Sequence, residues 1–137
     1  ERRQVTLTVM FADLDDFKNV NDTLGHAVGD EVLIYFARLT GTLLRKSDVV
    51  ARYGGDEFVF VLTNMSAREA EQVAIRLQRE FLKWTSDQGI RVGVSFGIME
   101  VPKGKNRLDD LLRQVDIALY QAKKDKGRSK IVIAPSL

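Results

Sequence analysis

The stretch ARYGGDEFVFVL, Ala51–Leu62, limits the fold more than any other part of the chain. Two runs rich in β-branched and aromatic residues, DVVARY and FVFVL, flank Gly54-Gly55. So short a link between strands can only return the chain antiparallel. An all-parallel sheet is thereby excluded, and the other elements have to fit around a hairpin.

Their periodicities supply the rest. Val5–Asp15 reads as a strand whose last residues turn acidic, and DDFKNVNDTLG as a short helix closed by Gly25. Gly29–Arg45 carries Val32, Leu33, Phe36, Leu39, Leu43 and Leu44 at the helical period, with Asp30 as its expected N-cap. Ser66 and Glu69 have the spacing of a capping box, ahead of a helix with Ala70, Val73, Ala74, Leu77 and Phe81 on one stripe. RVGVSFGIMEV alternates like a strand, LDDLLRQVDIALYQAKKDK is a second long amphipathic helix stopped by Gly127, and KIVIA is a short last strand. The predicted order is β-α-α-β-β-α-β-α-β. The fold class is α+β, a mixed, mostly antiparallel central sheet flanked by helices.

Composition narrows the chemistry. The 137 residues fit one domain spanning the chain, and the polar ERRQ start reads as the tail of a helix, as in a domain trimmed at its N-terminus. A net charge of +2 gives no ground for expecting a nucleic-acid partner. No cysteine is present, which excludes thiolate zinc sites and a cysteine nucleophile and suits the cytoplasm. The single histidine, His26, argues against a His-rich metal site. A metal here would sit among carboxylates, which favours Mg²⁺, Mn²⁺ or Ca²⁺.

A tight turn needs glycine, but it does not need adjacent acids such as Asp56 and Glu57. Gly54 and Gly55 allow positive φ and let a ligand approach without a Cβ in the way. If the hairpin pairs beside the first strand, Asp13 and Asp56 reach the same end of the sheet. Like charges so placed call for a cation between them, and the Leu14 carbonyl could add a third protein ligand. The alternative is a solvated turn at Asp13, Asp15 and Asp16, with Asp56 and Glu57 in a polar loop.

GGDEF at Gly54–Phe58 resembles the signature of the GGDEF domain of diguanylate cyclases. DLDDFKNVNDTLGHAVGDEVL, Asp13–Leu33, resembles that family's first motif, and DIALYQAKKDKGRSKI, Asp116–Ile131, its C-terminal one. The resemblance implies a fold akin to nucleotidyl cyclases and polymerase palms. It implies condensation of two GTP into cyclic di-GMP with release of pyrophosphate, Mg²⁺ or Mn²⁺ as cofactor, and an active homodimer. An upstream sensory or membrane domain in the whole protein is implied too.

Carried onto this chain, Asp13, Leu14 and Asp56 are the implied metal ligands. Asp56 is also the implied proton acceptor, and Glu57 is a neighbouring acid able to share either task. Phe17 and Lys18 stand at a helix start suited to phosphate. Asn21 and Asp30 look like the guanine contacts, and His26 either contacts nucleotide or fastens the Gly25–Gly29 loop. Gly54 and Gly55 lie against substrate. Lys123 and Arg128 would clamp phosphates, although the usual spacing fits Lys124 better, and Ser129 replaces the usual asparagine. Arg45 and Asp48 match the family's R-x-x-D inhibitory motif for bound product, with Arg76, on the outer helix, as a secondary contact from a neighbouring domain. In the bare sequence Lys18 is an exposed lysine, and RKSD an ion pair at a helix end.

Overall fold

The structure is a computed structural model that describes residues 6–101, Arg113, Ile117, Tyr120 and residues 129–133. Strand β1 (Leu7–Asp15) is followed by helices α1 (Phe17–Leu24) and α2 (His26–Leu43). Strands β2 (Val49–Arg52) and β3 (Glu57–Thr63) form the hairpin, and α3 (Ala67–Asp87), β4 (Gly93–Val101) and β5 (Ile131–Ile133) complete the described elements. The sheet order is β2-β3-β1-β4-β5, antiparallel throughout except for the parallel β4–β5 pair. The mixed, mostly antiparallel sheet expected from the hairpin is therefore present.

The central position of β1 explains its composition. Met10, Ala12 and Leu14 face the main core, while Val9 and Phe11 join Met99 in a second cluster on the opposite face. A strand covered on both faces has little room for polar residues. Helices α2 and α3 close the main core through Phe36, whose ring lies 4.9 Å from Phe58 and 5.3 Å from Phe81, and through Tyr35 stacked 4.1 Å from Trp84. Each fully buried phenylalanine of this set contributes roughly 1.5–3 kcal/mol. The capping box of α3 forms as expected: the Glu69 amide donates to Ser66 Oγ and the Ser66 amide to Glu69 Oε1.

Two local expectations are corrected. Helix α2 begins at His26 with Gly25 as its N-cap, so Asp30 is not a cap but an exposed residue inside the helix. Gly25, at φ 93°, ends α1 and starts α2 without an intervening loop, and the Gly29 amide already donates to the Gly25 carbonyl at 3.2 Å. His26 is thus the first residue of a helix rather than part of a loop. Secondly, neither Gly54 nor Gly55 has positive φ. What the hairpin takes from Gly54 is space, because a Cβ there would stand 2.7 Å from Glu57 Oε1.

Of the expected helix after β4, Arg113, Ile117 and Tyr120 are described, helical and exposed. Lys123, Lys124 and Arg128 lie outside the described residues.

Candidate active site

Pairing fixes the geometry. On β1, Asp13 sits opposite Glu57 of β3 on one side and Ser95 of β4 on the other. Directly opposed residues share a face, so the Asp13 and Glu57 carboxylates project together. The Leu14 amide donates to the Asp56 carbonyl at 3.0 Å, which ties the turn of the hairpin to β1. A strand residue's N–H and C=O point toward the same neighbour, so the Leu14 carbonyl opens toward that turn as well. One ligand oxygen each from Asp13, Asp56 and Glu57 lies within 4.8 Å of the others.

All three donors are carboxylate oxygens, and all three residues are half-buried. Hard oxygen donors at this separation fit a divalent cation that prefers oxygen ligands, such as Mg²⁺, Mn²⁺ or Ca²⁺. The donor set therefore fits the cation expected from the sequence. Gly55 leaves open space on its side of the turn, where a Cβ would meet nothing within 4 Å. A surface depression of about 670 Å³, at the end of α3 beside Arg79 and Arg91, contains none of these acids. Donor chemistry marks the site better than volume does.

The α1–α2 corner gathers a second group. Phe17 is buried and Lys18 exposed in the first turn of α1. Asn21 lies directly against the backbone of Gly29, in the space a Cβ at that position would need. Asp30 is the next residue along α2 and is exposed. His26 is exposed at the start of α2.

The R-x-x-D residues form a closed clasp. Arg45 Nε and Nη2 donate to the two oxygens of Asp48 at 3.2 and 3.0 Å, and the Arg45 amide donates to Asp48 Oδ2 at 2.9 Å. Nη2 also donates to the Thr63 carbonyl at the end of β3. Burial would raise the Asp48 carboxyl, but its bonds from the Arg45 side chain and amide outweigh that and hold it below the usual carboxylate range. Arg76 stands on the outer face of α3, lining a small pocket of about 170 Å³ with Leu43, Gln72 and Val73.

Sequence reasoning missed two residues. Asp15 is not in a solvated turn. It is 3% exposed and accepts from Ser95 Oγ at 2.8 Å and from the Ser129 amide at 2.8 Å. Its position two residues beyond Asp13, on the same face of a doubly covered strand, was the available signal. Arg52 reaches forward onto the hairpin turn, donating to the carbonyls of Gly54 and Gly55. An arginine just before a glycine pair carries no such reading by itself.

Residues 1–129 match the family described as diguanylate cyclase, GGDEF domain. The chain is 34% identical over 135 residues to diguanylate cyclase A of Treponema denticola, covering 96% of this chain and 36% of that protein. It is 37% identical over 134 residues to diguanylate cyclase DosC of Escherichia coli, covering 95% of this chain and 29% of that one. The chain thus spans about a third of the length of these relatives. Among solved structures, the active GGEEF domain of a Vibrio cholerae diguanylate cyclase superposes with a TM-score of 0.87 at 31% identity, covering 95% of this chain and 83% of that one. The GGDEF domain of DgcB from Caulobacter crescentus, in complex with c-di-GMP, gives 0.81 at 27% identity over 94% and 78%. With the signature intact in the β2–β3 turn and its acids facing Asp13 across the sheet, the chain belongs to the GGDEF domain family of diguanylate cyclases.

Proposed function

We propose that the domain condenses two GTP into cyclic di-GMP with release of two pyrophosphates, using Mg²⁺ or Mn²⁺, as a homodimer. The observation that carries this reading is the convergence of the Asp13, Asp56 and Glu57 carboxylates within 4.8 Å beside an open glycine turn. Asp13, Asp56, Glu57 and the Leu14 carbonyl would hold the cation. When bound, such an ion offsets charge on the triphosphate and makes the attacking 3′-hydroxyl more acidic.

The chain's own residues do the rest. The first amides of α1 and the Lys18 ammonium receive phosphate oxygens at the positive end of a helix. Asp30 accepts from N1–H and the 2-amino group of guanine, with Asn21 beside it. Adenine would leave Asp30 facing a lone pair, at a cost of about 1–3 kcal/mol, so the pocket selects GTP. Asp56 or Glu57 takes the proton of the 3′-hydroxyl. Lys123 and Arg128 clamp phosphates from outside the described residues, as the resemblance implies. Each domain holds one GTP, so the attacking hydroxyl has to come from a facing copy. An upstream domain that brings two copies together would then govern the rate. The substrate places the working compartment in the cytoplasm. No helix among the described residues is long and apolar enough to cross a membrane.

The Arg45–Asp48 clasp fits the product-inhibition site: the guanidinium can turn from Asp48 to a guanine edge or phosphate, with Arg76 reaching the bound product from a neighbouring domain. The test is to join two copies through a dimerising coiled coil, supply GTP and Mg²⁺, and follow pyrophosphate and cyclic di-GMP. Turnover that disappears in Asp56→Ala, and that escapes product inhibition in Arg45→Ala, supports the reading. Nucleotide binding with no pyrophosphate would make the domain a receptor instead and end the catalytic assignment.

A further inference from the structure

The turn that carries Asp56 and Glu57 contains two adjacent glycines, the residues with the most backbone freedom to lose on folding. Its carbonyls account for how it is held. The Glu57 carbonyl accepts from the Tyr53 amide at 2.7 Å and the Gly54 amide at 3.4 Å, and the Asp56 carbonyl from the Leu14 amide at 3.0 Å. The two remaining carbonyls, those of the glycines, are taken by one side chain. Arg52 Nε donates to the Gly54 and Gly55 carbonyls, both at 3.1 Å, and Nη2 to the Gly55 carbonyl at 2.6 Å. Four consecutive carbonyls are thus fixed, and the flexible pair depends on a single guanidinium at the end of β2.

We infer that Arg52 is a positioning residue for the candidate metal site: its forked guanidinium holds the glycine turn so that the Asp56 and Glu57 carboxylates meet Asp13. The inference rests on the metal reading proposed above. It also runs against simple electrostatics. Arg52 pairs with Phe58 and so leaves β2 on the face opposite Glu57, where its positive charge can only disfavour a second cation at the acids; a bystander Arg52 would therefore leave metal binding unchanged or weaken it. A positioning Arg52 strengthens binding despite that charge. The fork matters as well, because an ammonium cannot reproduce the planar two-carbonyl grip.

These opposed expectations make the test decisive. The chain is titrated with Mn²⁺ alone, free ion being followed by electron paramagnetic resonance, for wild type, Arg52→Gln and Arg52→Lys. Arg52 is exposed, so both variants should fold, with a melting temperature in metal-free buffer only a few degrees below that of wild type. Both should bind Mn²⁺ about tenfold more weakly, the lower end of what loss of a ligand-orienting partner costs. In the dimerised protein the Mn²⁺ needed for half-maximal turnover should rise by the same factor. Unchanged or tighter binding in Arg52→Gln, or wild-type binding in Arg52→Lys, would overturn the inference and leave the metal site standing. A wild-type chain that takes up no Mn²⁺ would bring down the metal reading and this inference together.

Discussion

The domain handles acidic residues in two opposite ways, about a hairpin's length apart. At Asp48 a carboxylate whose side chain is 1% exposed is matched by the arginine three residues before it, through two side-chain bonds and one amide bond. At Asp13, Asp56 and Glu57 three carboxylates are pressed within 4.8 Å by strand pairing. The first arrangement settles its charge internally, and the second leaves a concentrated negative site for which a cation is the natural complement. Until a ligand draws Arg45 away, the first ties the segment after α2 to the end of β3. The second is held in place by the rest of the fold, a pattern expected where ligand chemistry rather than stability sets the residues.

The sharpest way to break this comparison is to neutralise one acid of each kind. Asp56→Asn or Asp13→Asn should lower turnover of the dimerised domain by at least about 10²-fold, the usual cost of losing a group that meets charge developing in the transition state. Asp48→Asn should leave turnover of uninhibited enzyme within about twofold, an estimate that rests on Asp48 making no contact with the reacting atoms. A smaller effect concerns stability with ligand present. Mn²⁺ at a hundred times its Kd should stabilise wild type by about 2.7 kcal/mol, measured as a rise in melting temperature, and Asp56→Asn should show little of that rise. Without metal the two variants should move in opposite directions. Asp48→Asn removes a nearly buried, hydrogen-bonded acceptor and should cost about 1–2 kcal/mol. Asp56→Asn relieves like-charge crowding and should be neutral or stabilising by up to about 1 kcal/mol. If both variants lose stability equally, the acid cluster is an ordinary structural network.

How far these regions were legible in the sequence follows from how local their causes are. The hairpin, the capping box at Ser66 and Glu69, and the apolar stripes of α2 and α3 rest on residues a few positions apart, and each forms as read. The convergence of Asp13 with Asp56 needed only the premise that the hairpin pairs beside β1. The start of α2 was misread because Gly29 looks like a helix boundary. It is glycine because Asn21, on another helix, occupies the space of its Cβ. The same limit hid Asp15, whose partners Ser95 and Ser129 lie 80 and 114 residues away. Ser129 itself adopts φ 61°, a left-handed conformation that asparagine tolerates better. That accounts for asparagine being the residue the resemblance leads one to expect there. Crowding across helices leaves no periodic trace at Gly29, and at Asp15 the strand period marks a covered face but cannot name partners so far away in the chain.

The smallest expected effect separates the two regions by pH. The folded Asp48 carboxyl lies below the usual carboxylate range, burial being outweighed by its bonds from Arg45. Arg45 is raised in turn, its bond to Asp48 outweighing desolvation. A depressed acid stabilises the fold fully above its unfolded pKa, and loses that contribution as pH falls through the ordinary aspartate range toward the lower folded value. The raised arginine contributes at every pH below the ordinary arginine range, so it adds no slope in acid. The gap in melting temperature between wild type and Asp48→Asn should therefore be constant from neutral pH to mildly acidic pH, and should close only below the ordinary aspartate range. Taking the gap between two chains cancels the contribution of every ionisable group that both retain. Because the Arg45 side chain is 48% exposed, water and salt screen the pair. The gap should also narrow at high ionic strength, and one that ignores both acid and salt would mean that Asp48 is held by shape rather than by its charge.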